Sequence, residues 1–136
     1  CEMVSAHGNQ AAMPSLEDLG LVRVVGADFL SSARAALAEV RIEDDIVGYV
    51  VDIVRATREH QALICGASPR SANMLSTSIR AFAALRGRDY VIPDDVKTLA
   101  SPCLSHRVVL APGAEIEGLT DDAVIRQILE EVPAPR

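Results

Sequence analysis

Arg70 is the residue of this 136-residue chain whose type and position best fit a chemical role. Ser68 and Pro69 precede it, a cap residue and a first-turn proline that together predict the start of a helix. The positive end of the helix dipole opposes a cation there, at a cost of a few tenths of a kcal/mol to about 1 kcal/mol. Backbone amides at a helix start together with a guanidinium can bind a phosphate group. From the residues alone, Arg70 is either a phosphate-binding arginine or an ordinary surface arginine.

The periodicity of the same helix places Arg70 away from its apolar stripe. Leu75, Ile79 and Phe82 lie on the face opposite Arg70, which therefore points outward or into an interface. Arg80 lies on the polar side of this predicted helix and is expected to be a generic surface charge.

Other reactive residue types form no recognisable site. Cys1, Cys65 and Cys103 are odd in number and widely spaced, which predicts free thiols rather than disulfides or zinc ligands. The three histidines are also far apart, so no metal site is predicted. The chain contains no complete phosphate-binding loop, zinc protease motif or hydrolase elbow. This polypeptide alone is therefore not expected to be a catalyst.

The elements that must position Arg70 have the apolar period of helices. Residues 44–59 are rich in Val and Ile, but their polar residues recur at helical spacing and acidic residues stand at the start, so a helix is favoured over a strand. A second helix is predicted over 69–86, with Gly87 as its left-handed C-terminal residue.

Shorter helices are predicted on either side. One runs over about 26–37, two short pieces begin at Pro93 and Pro102, and a last helix capped by Thr120 ends before Pro133. The sequence thus predicts an all-α fold, a small bundle of four to five helices with a core of Ala, Val, Leu and Ile. Residues 1–25 show no sustained period.

Composition and charge exclude several classes of protein. A formal charge of -6 and no obvious basic patch argue against a nucleic-acid module. No apolar run approaches the roughly 20 residues that a membrane helix needs, and the start lacks the pattern of a secretory signal. We therefore expect no nucleic-acid or membrane partner and a cytoplasmic location.

Three spaced segments carry a family resemblance. They are Gly66–Ser71, Ala56–Glu59 before it, and Gly87–Val96 after it. The set resembles the C-terminal lid domain of MoxR-type AAA+ ATPases, and the resemblance runs from about Val25 to Val132. It implies that 26–133 is a helical lid, that 1–25 is a linker or the residual edge of a nucleotide-binding domain in the same chain, and that 134–136 is a tail.

The resemblance also implies roles for individual residues. Arg70 would be the sensor 2 arginine that reaches the γ-phosphate of ATP, with Mg²⁺ and ATP held mainly by the nucleotide-binding domain. Ala67 and Ser68 would face the edge of the nucleotide, although a helix cap explains Ser68 equally well. Tyr49 and Ile53 are candidates for contacts to adenine or ribose, the alternatives being a surface ring for Tyr49 and a core position for Ile53.

For the full-length protein, the resemblance implies an ATP hydrolase. Members of the family are expected to form homo-oligomers such as hexameric rings and to act as chaperone-like remodellers, often with von Willebrand factor A partners. Two alternatives remain open. One is the lid of a magnesium-chelatase-type AAA+ subunit, and the other is a non-enzymatic helical interaction module.

Two positions depart from the family pattern. Ile92 replaces the usual hydroxyl residue before Pro93, so that helix is expected to lose its side-chain cap, at about 1 kcal/mol. Gly26 similarly replaces a common Ser or Thr cap. Neither position belongs to the nucleotide-facing motif.

Overall fold

The computed structural model describes residues 20–135 of the chain. Its elements, in chain order, are α1 (Ala27–Ala38), α2 (Asp44–Glu59), β1 (Leu63–Cys65), α3 (Pro69–Leu85), α4 (Pro93–Leu104), a 3-10 turn (Ser105–Arg107), β2 (Val109–Leu110), α5 (Pro112–Ile116) and α6 (Asp121–Glu131). The expected all-α class is confirmed. Within the described residues there are six helices and one two-stranded sheet, so the helix count exceeds the predicted four to five because of the short α5.

The chain divides after Ala33 into two compact units. In the described part of the first unit, which begins at Gly20, large apolar side chains are exposed, among them Val22, Val24 and Phe29. The start of α1 lies in this unit, and no residue of that helix is buried. Most of the predicted linker, residues 1–19, lies outside the described residues.

The second unit contains the hydrophobic core. Helix α3 packs against α2 and α4, and α6 packs against α4 and α2. The largest fully buried apolar side chains come from these four helices: Ile53, Leu75, Ile79, Leu104, Ile125 and Ile128. The apolar stripe predicted for α3, which includes Leu75 and Ile79, is therefore one of the faces that build the core.

The polar spacing of residues 44–59 predicted α2 correctly. The helix spans Asp44–Glu59, with Asp44 and Asp45 in its first turn and Arg58 in its last. Ile46, Val50, Ile53 and Val54 form its buried face, whereas Val47 and Val51 are exposed.

The prediction of two helical pieces at Pro93 and Pro102 was wrong, because one continuous helix, α4, contains both prolines. Pro102 has no N–H to donate within the helix. The helix nevertheless continues, since Ala100 and Leu104 on either side of Pro102 are fully buried. Tertiary packing thus overrides the local preference of proline for a helix start.

A small antiparallel sheet was not predicted. Strand β1 pairs with β2 in the register Leu63 to Leu110 and Cys65 to Val109. Beside it, the Ala111 N–H donates to the Ala62 carbonyl at 2.8 Å. These strands have three and two residues, too few for an alternating pattern to stand out. The sheet fixes the segment that leads into the start of α3.

A second backbone connection joins the α1–α2 loop to the α3–α4 loop. The Arg41 N–H donates to the Asp89 carbonyl at 2.9 Å, and the Val91 N–H donates to the Arg41 carbonyl at 3.0 Å. The loop between α3 and α4 is therefore held at its middle.

Candidate functional site

Gly66 lets the loop before α3 lie directly against helix α2. A Cβ atom at this position would stand 2.5 Å from the Thr57 carbonyl oxygen and 2.6 Å from the backbone N of Arg58. Both neighbours are backbone atoms, which cannot rotate away as a flexible side chain could. The close approach therefore requires glycine.

Thr57 anchors this loop from the α2 side. Its side chain is fully buried, and its Oγ1 donates to the Val54 carbonyl at 2.6 Å and accepts from the Ala67 N–H at 2.9 Å. Thr57 belongs to one of the segments that carried the family resemblance, but sequence reasoning gave it no role. The sequence did contain a signal for this role, because Thr57 lies on the same helix face as Val50 and Val54. A hydroxyl buried on an apolar face needs a hydrogen-bond partner.

Ser68 begins α3 through its backbone and not through its hydroxyl. Its φ of -80° and ψ of 161° are those of a helix cap, and its carbonyl accepts from the Ser71 N–H at 2.8 Å. The Oγ instead lies 3.3 Å from the Ser71 Oγ and accepts from no amide at the helix start. The predicted side-chain cap is therefore wrong, whereas the predicted start at Pro69 is confirmed.

Arg70 lies at the second position of α3, and its side chain is exposed. Within residues 20–135, no carboxylate lies at ion-pair distance from it. It borders a shallow groove that runs along the helix past Asn73, Met74, Thr77 and Ser78. The guanidinium is therefore available to an anion from outside the described residues.

Three other predicted nucleotide contacts are buried. Ile53 and Ala67 are fully buried, and Tyr49 is only 3% exposed. The surface-ring alternative for Tyr49 is thus wrong, and its hydroxyl has no hydrogen-bond partner in the described structure. Burial, followed by the charge of Asp94, raises the pKa of Tyr49. The burial of Ile53 and Ala67 is explained by the core, so their contact with a nucleotide remains a prediction.

Near the start of α4, Arg88 is held by a carboxylate of the fold. Its two terminal nitrogens donate to the two Asp95 oxygens at 2.9 and 2.6 Å, and one of them also donates to the Tyr90 carbonyl. Asp95 is buried and also accepts from the Ile92 N–H at 3.0 Å. The Asp95 carboxylate thus satisfies the Ile92 N–H at the start of α4. This hydrogen bond offsets the loss of stability expected there because Ile92 supplies no side-chain cap.

The pKa of Asp95 reflects these contacts. Burial by itself raises the pKa, but the hydrogen bonds from Arg88 and the Ile92 N–H together lower it below the ordinary value. The hydrogen bond to Asp95 in turn raises the pKa of Arg88. This ion pair is therefore charged at neutral pH and belongs to the fold.

The remaining reactive groups stay separate. Across residues 20–135, no three His, Cys, Asp or Glu side chains are grouped as a metal site, and no helix is long and apolar enough to cross a membrane. Cys65 and Cys103 are free thiols, and Cys1 lies outside the described residues.

Comparison with known proteins shows the family of this chain. The AAA lid domain family matches residues 55–128, which include Gly66, Arg70 and Asp95. The protein YeaC of Bacillus subtilis, itself uncharacterised, is 42% identical over 108 residues, which is 79% of this chain and 33% of YeaC. Chaperone MoxR1 of Mycobacterium tuberculosis is 37% identical over 67% of this chain and 26% of its own length.

A magnesium-chelatase relative is more distant. The chloroplastic subunit ChlI-1 of Arabidopsis thaliana is 30% identical over 77% of this chain and 22% of its own length. This chain thus spans a third or less of these curated relatives.

A solved structure shows the same fold. The crystal structure of a Cytophaga hutchinsonii protein assigned as an ATPase superposes with a TM-score of 0.79 at 28% identity, covering 99% of this chain and 42% of that one. The family match covers more than half of the chain, and the matched segment holds the helix start that presents Arg70. The chain belongs to the AAA lid domain family and is a lid of the MoxR type.

Proposed function

We propose that this chain serves as the lid of a MoxR-type AAA+ ATPase and that Arg70 is its sensor 2 residue. The observation that carries the proposal is an exposed guanidinium, unpaired within residues 20–135, at the start of a helix. A cation in a first helical turn is opposed by the helix dipole unless an anion joins it. The terminal phosphate of ATP is such an anion, and the guanidinium fork suits its oxygens.

The anchoring of the loop supports a coupling role. Gly66 packs on the backbone of α2, and the Ala67 N–H is bonded to the buried Thr57 hydroxyl. These contacts hold the start of α3, which carries Arg70, against α2. A force on the Arg70 guanidinium would therefore be transmitted to both helices. A phosphate held by Arg70 would therefore bias the position of the whole lid, and its loss would release that bias.

The other predicted contacts take different parts in this proposal. Ser68 is exposed two residues before Arg70, so its hydroxyl is available to the edge of a nucleotide. Ala67, Ile53 and Tyr49 are buried and would shape the lid beneath that edge. ATP would supply the phosphoryl group, and the nucleotide-binding domain would hold its Mg²⁺.

The longer protein would be an ATP hydrolase acting as a homo-oligomer. We propose a nucleotide-binding domain in the same chain, assembly into a ring such as a hexamer, and chaperone-like remodelling of partner proteins, including those with von Willebrand factor A domains. Support comes from the relative named Chaperone MoxR1 and from the fact that this chain spans about a quarter of it.

A magnesium-chelatase lid is the second candidate, supported by the 30% identity to ChlI-1. The two candidates share Arg70 and differ in partner. Magnesium-chelatase activity of the longer protein would favour the second candidate, whereas remodelling of a protein partner without it would favour the first.

The test is the substitution Arg70→Ala in a longer protein that joins this lid to its nucleotide-binding domain. ATP turnover is expected to fall roughly tenfold to a thousandfold, because one positioned donor to the developing phosphate charge is lost. The stability of the 136-residue chain should change by less than about 0.5 kcal/mol, because an exposed residue is altered.

Arg55→Ala is the matched control. Arg55 is an exposed arginine within α2, whereas Arg80 is half-buried and unsuitable. Equal turnover in the Arg70→Ala and Arg55→Ala proteins would reject the sensor assignment.

A further inference from the structure

A second arginine site lies between α1 and α3. The last residues of α1 and the middle of α3 border a cleft, and its lining residues are Arg34, Leu37, Ala38, Thr77 and Arg80. Two of the five carry a positive charge. No carboxylate lines the cleft, and neither arginine has an ion pair within residues 20–135.

Arg80 differs from the surface charge that its sequence position suggested. Its side chain is half-buried, and its Nε is buried without a hydrogen-bond acceptor among residues 20–135. The nearby Thr77 hydroxyl donates to the Asn73 carbonyl at 3.0 Å. A buried donor without a partner is unfavourable, and a turn of the Arg80 side chain that paired its guanidinium with an acceptor in the cleft would relieve it.

This cleft is separate from the phosphate site proposed at Arg70. Arg80 follows Arg70 by ten residues on the same helix, about 15 Å along its axis. The helical period also turns Arg80 by roughly 80° around the axis from Arg70. One phosphate group therefore cannot contact both guanidinium groups, and the sensor role of Arg70 leaves Arg80 unexplained.

We propose that the cleft between α1 and α3 binds a carboxylate side chain of an acidic polypeptide partner. The guanidinium fork matches the two oxygens of a carboxylate, and Arg34 at the rim adds a second positive charge. Leu37 and Ala38 give the cleft an apolar wall that suits an apolar residue beside the acidic one. The chain's net charge of -6 disfavours an extended polyanion such as nucleic acid, whereas a single carboxylate needs only the local charge of Arg34 and Arg80.

The test uses the 136-residue chain labelled with 15N. The probe is a synthetic acidic peptide of Leu and Glu residues, with a peptide of Leu and Gln as the matched neutral probe and inorganic phosphate as a third arm. We expect the acidic peptide to shift the Arg80 Nε–H resonance in a saturable way. The neutral peptide should leave that resonance unchanged.

Substitutions then locate the site. Arg34→Gln and Arg80→Gln should each weaken binding of the acidic peptide at least fivefold, because each removes one charged donor. Arg55→Gln, at an exposed arginine outside the cleft, should change it less than twofold. Since Arg34 is exposed, its substitution keeps the test valid even if Arg80→Gln disturbs folding.

Several results would overturn the proposal. They are failure of the acidic peptide to bind, equal binding of the neutral peptide, or affinities that the cleft substitutions leave unchanged. A cleft that binds inorganic phosphate but not the acidic peptide would also reject a polypeptide partner.

Discussion

Helices α3 and α4 begin in the same way yet use their neighbouring arginines differently. Each has a proline at its first position after an extended residue, Ser68 or Ile92, whose carbonyl accepts from the amide three residues on. Beside α4, Arg88 is bound by both oxygens of the buried Asp95. At α3, Arg70 is exposed and has no carboxylate partner within the described residues.

This contrast separates an arginine that holds the fold from one available for binding. The Arg88 side chain is 22% exposed and its Asp95 partner 3%, so their pairing forms part of the packed structure. Breaking such a pair leaves an uncompensated buried charge. Among residues 20–135, Arg70 has no such partner, which favours a ligand from outside this part of the chain. Arg70 and Arg88 both lie in segments that carry the family resemblance. Their different partners, and not their sequence context, separate the exposed arginine from the structural one.

The largest effect on stability is expected at Gly66, whose missing side chain lets the start of α3, and with it Arg70, rest on α2. Gly66→Ala should destabilise the chain by at least about 2 kcal/mol, because the new Cβ would overlap backbone atoms of Thr57 and Arg58. Thermal and urea unfolding would measure the loss. The matched control is Gly48→Ala, since a Cβ at Gly48 meets nothing within 4 Å. Equal stability of the two variants would contradict the close approach.

At the α4 start, Asp95→Asn should destabilise the chain by about 2 kcal/mol at pH 7, because Arg88 loses its charged acceptor. The folded pKa of Asp95 is lowered, so its carboxylate contributes stability above the unfolded pKa and loses it as pH falls through the folded value. The difference between wild type and variant should therefore shrink below about pH 4. A pH-independent difference would show that the lost contact is not ionic.

The smallest expected effect concerns the caps. Ser68→Ala should change the free energy of unfolding by less than about 0.5 kcal/mol, since its hydroxyl accepts from no helix amide. Thr120→Ala should cost about 1 kcal/mol, because the Thr120 Oγ1 accepts from the Ala123 N–H at 3.2 Å. Parallel urea titrations would compare the two. A loss of stability in Ser68→Ala as large as that in Thr120→Ala would show that the Ser68 hydroxyl caps α3 after all.

Local signals predicted the helices that carry the site. The polar spacing of α2, the Ser–Pro start of α3 and the C-terminal Gly87 were readable because each acts over a few residues. Gly87 has the expected positive φ of 72°, and the Arg88 N–H that follows it donates to the Ala83 carbonyl. The apolar stripes likewise predicted which faces would be buried.

Long-range contacts could not be predicted in the same way. The hydrogen bond between Thr57 and the Ala67 N–H joins residues ten apart across a loop, and no periodicity reports it. The β1–β2 pairing joins distant short segments, and the burial of the Arg80 Nε is likewise a result of packing that helical period does not report. The prediction of a helix start at Pro102 was wrong because packing of the residues around it outweighs the preference of proline for that position.

The sensor role proposed for Arg70 requires contact with the terminal phosphate of a nucleotide. Its most direct test is the affinity of the longer protein, with its nucleotide-binding domain, for ADP and for a non-hydrolysable ATP analogue, measured by calorimetry for wild type and Arg70→Ala. We predict that the substitution weakens analogue binding roughly tenfold to a hundredfold, the effect of one lost charged hydrogen bond, and changes ADP binding less than twofold. Equal losses for both nucleotides, or no loss for either, would contradict the claim.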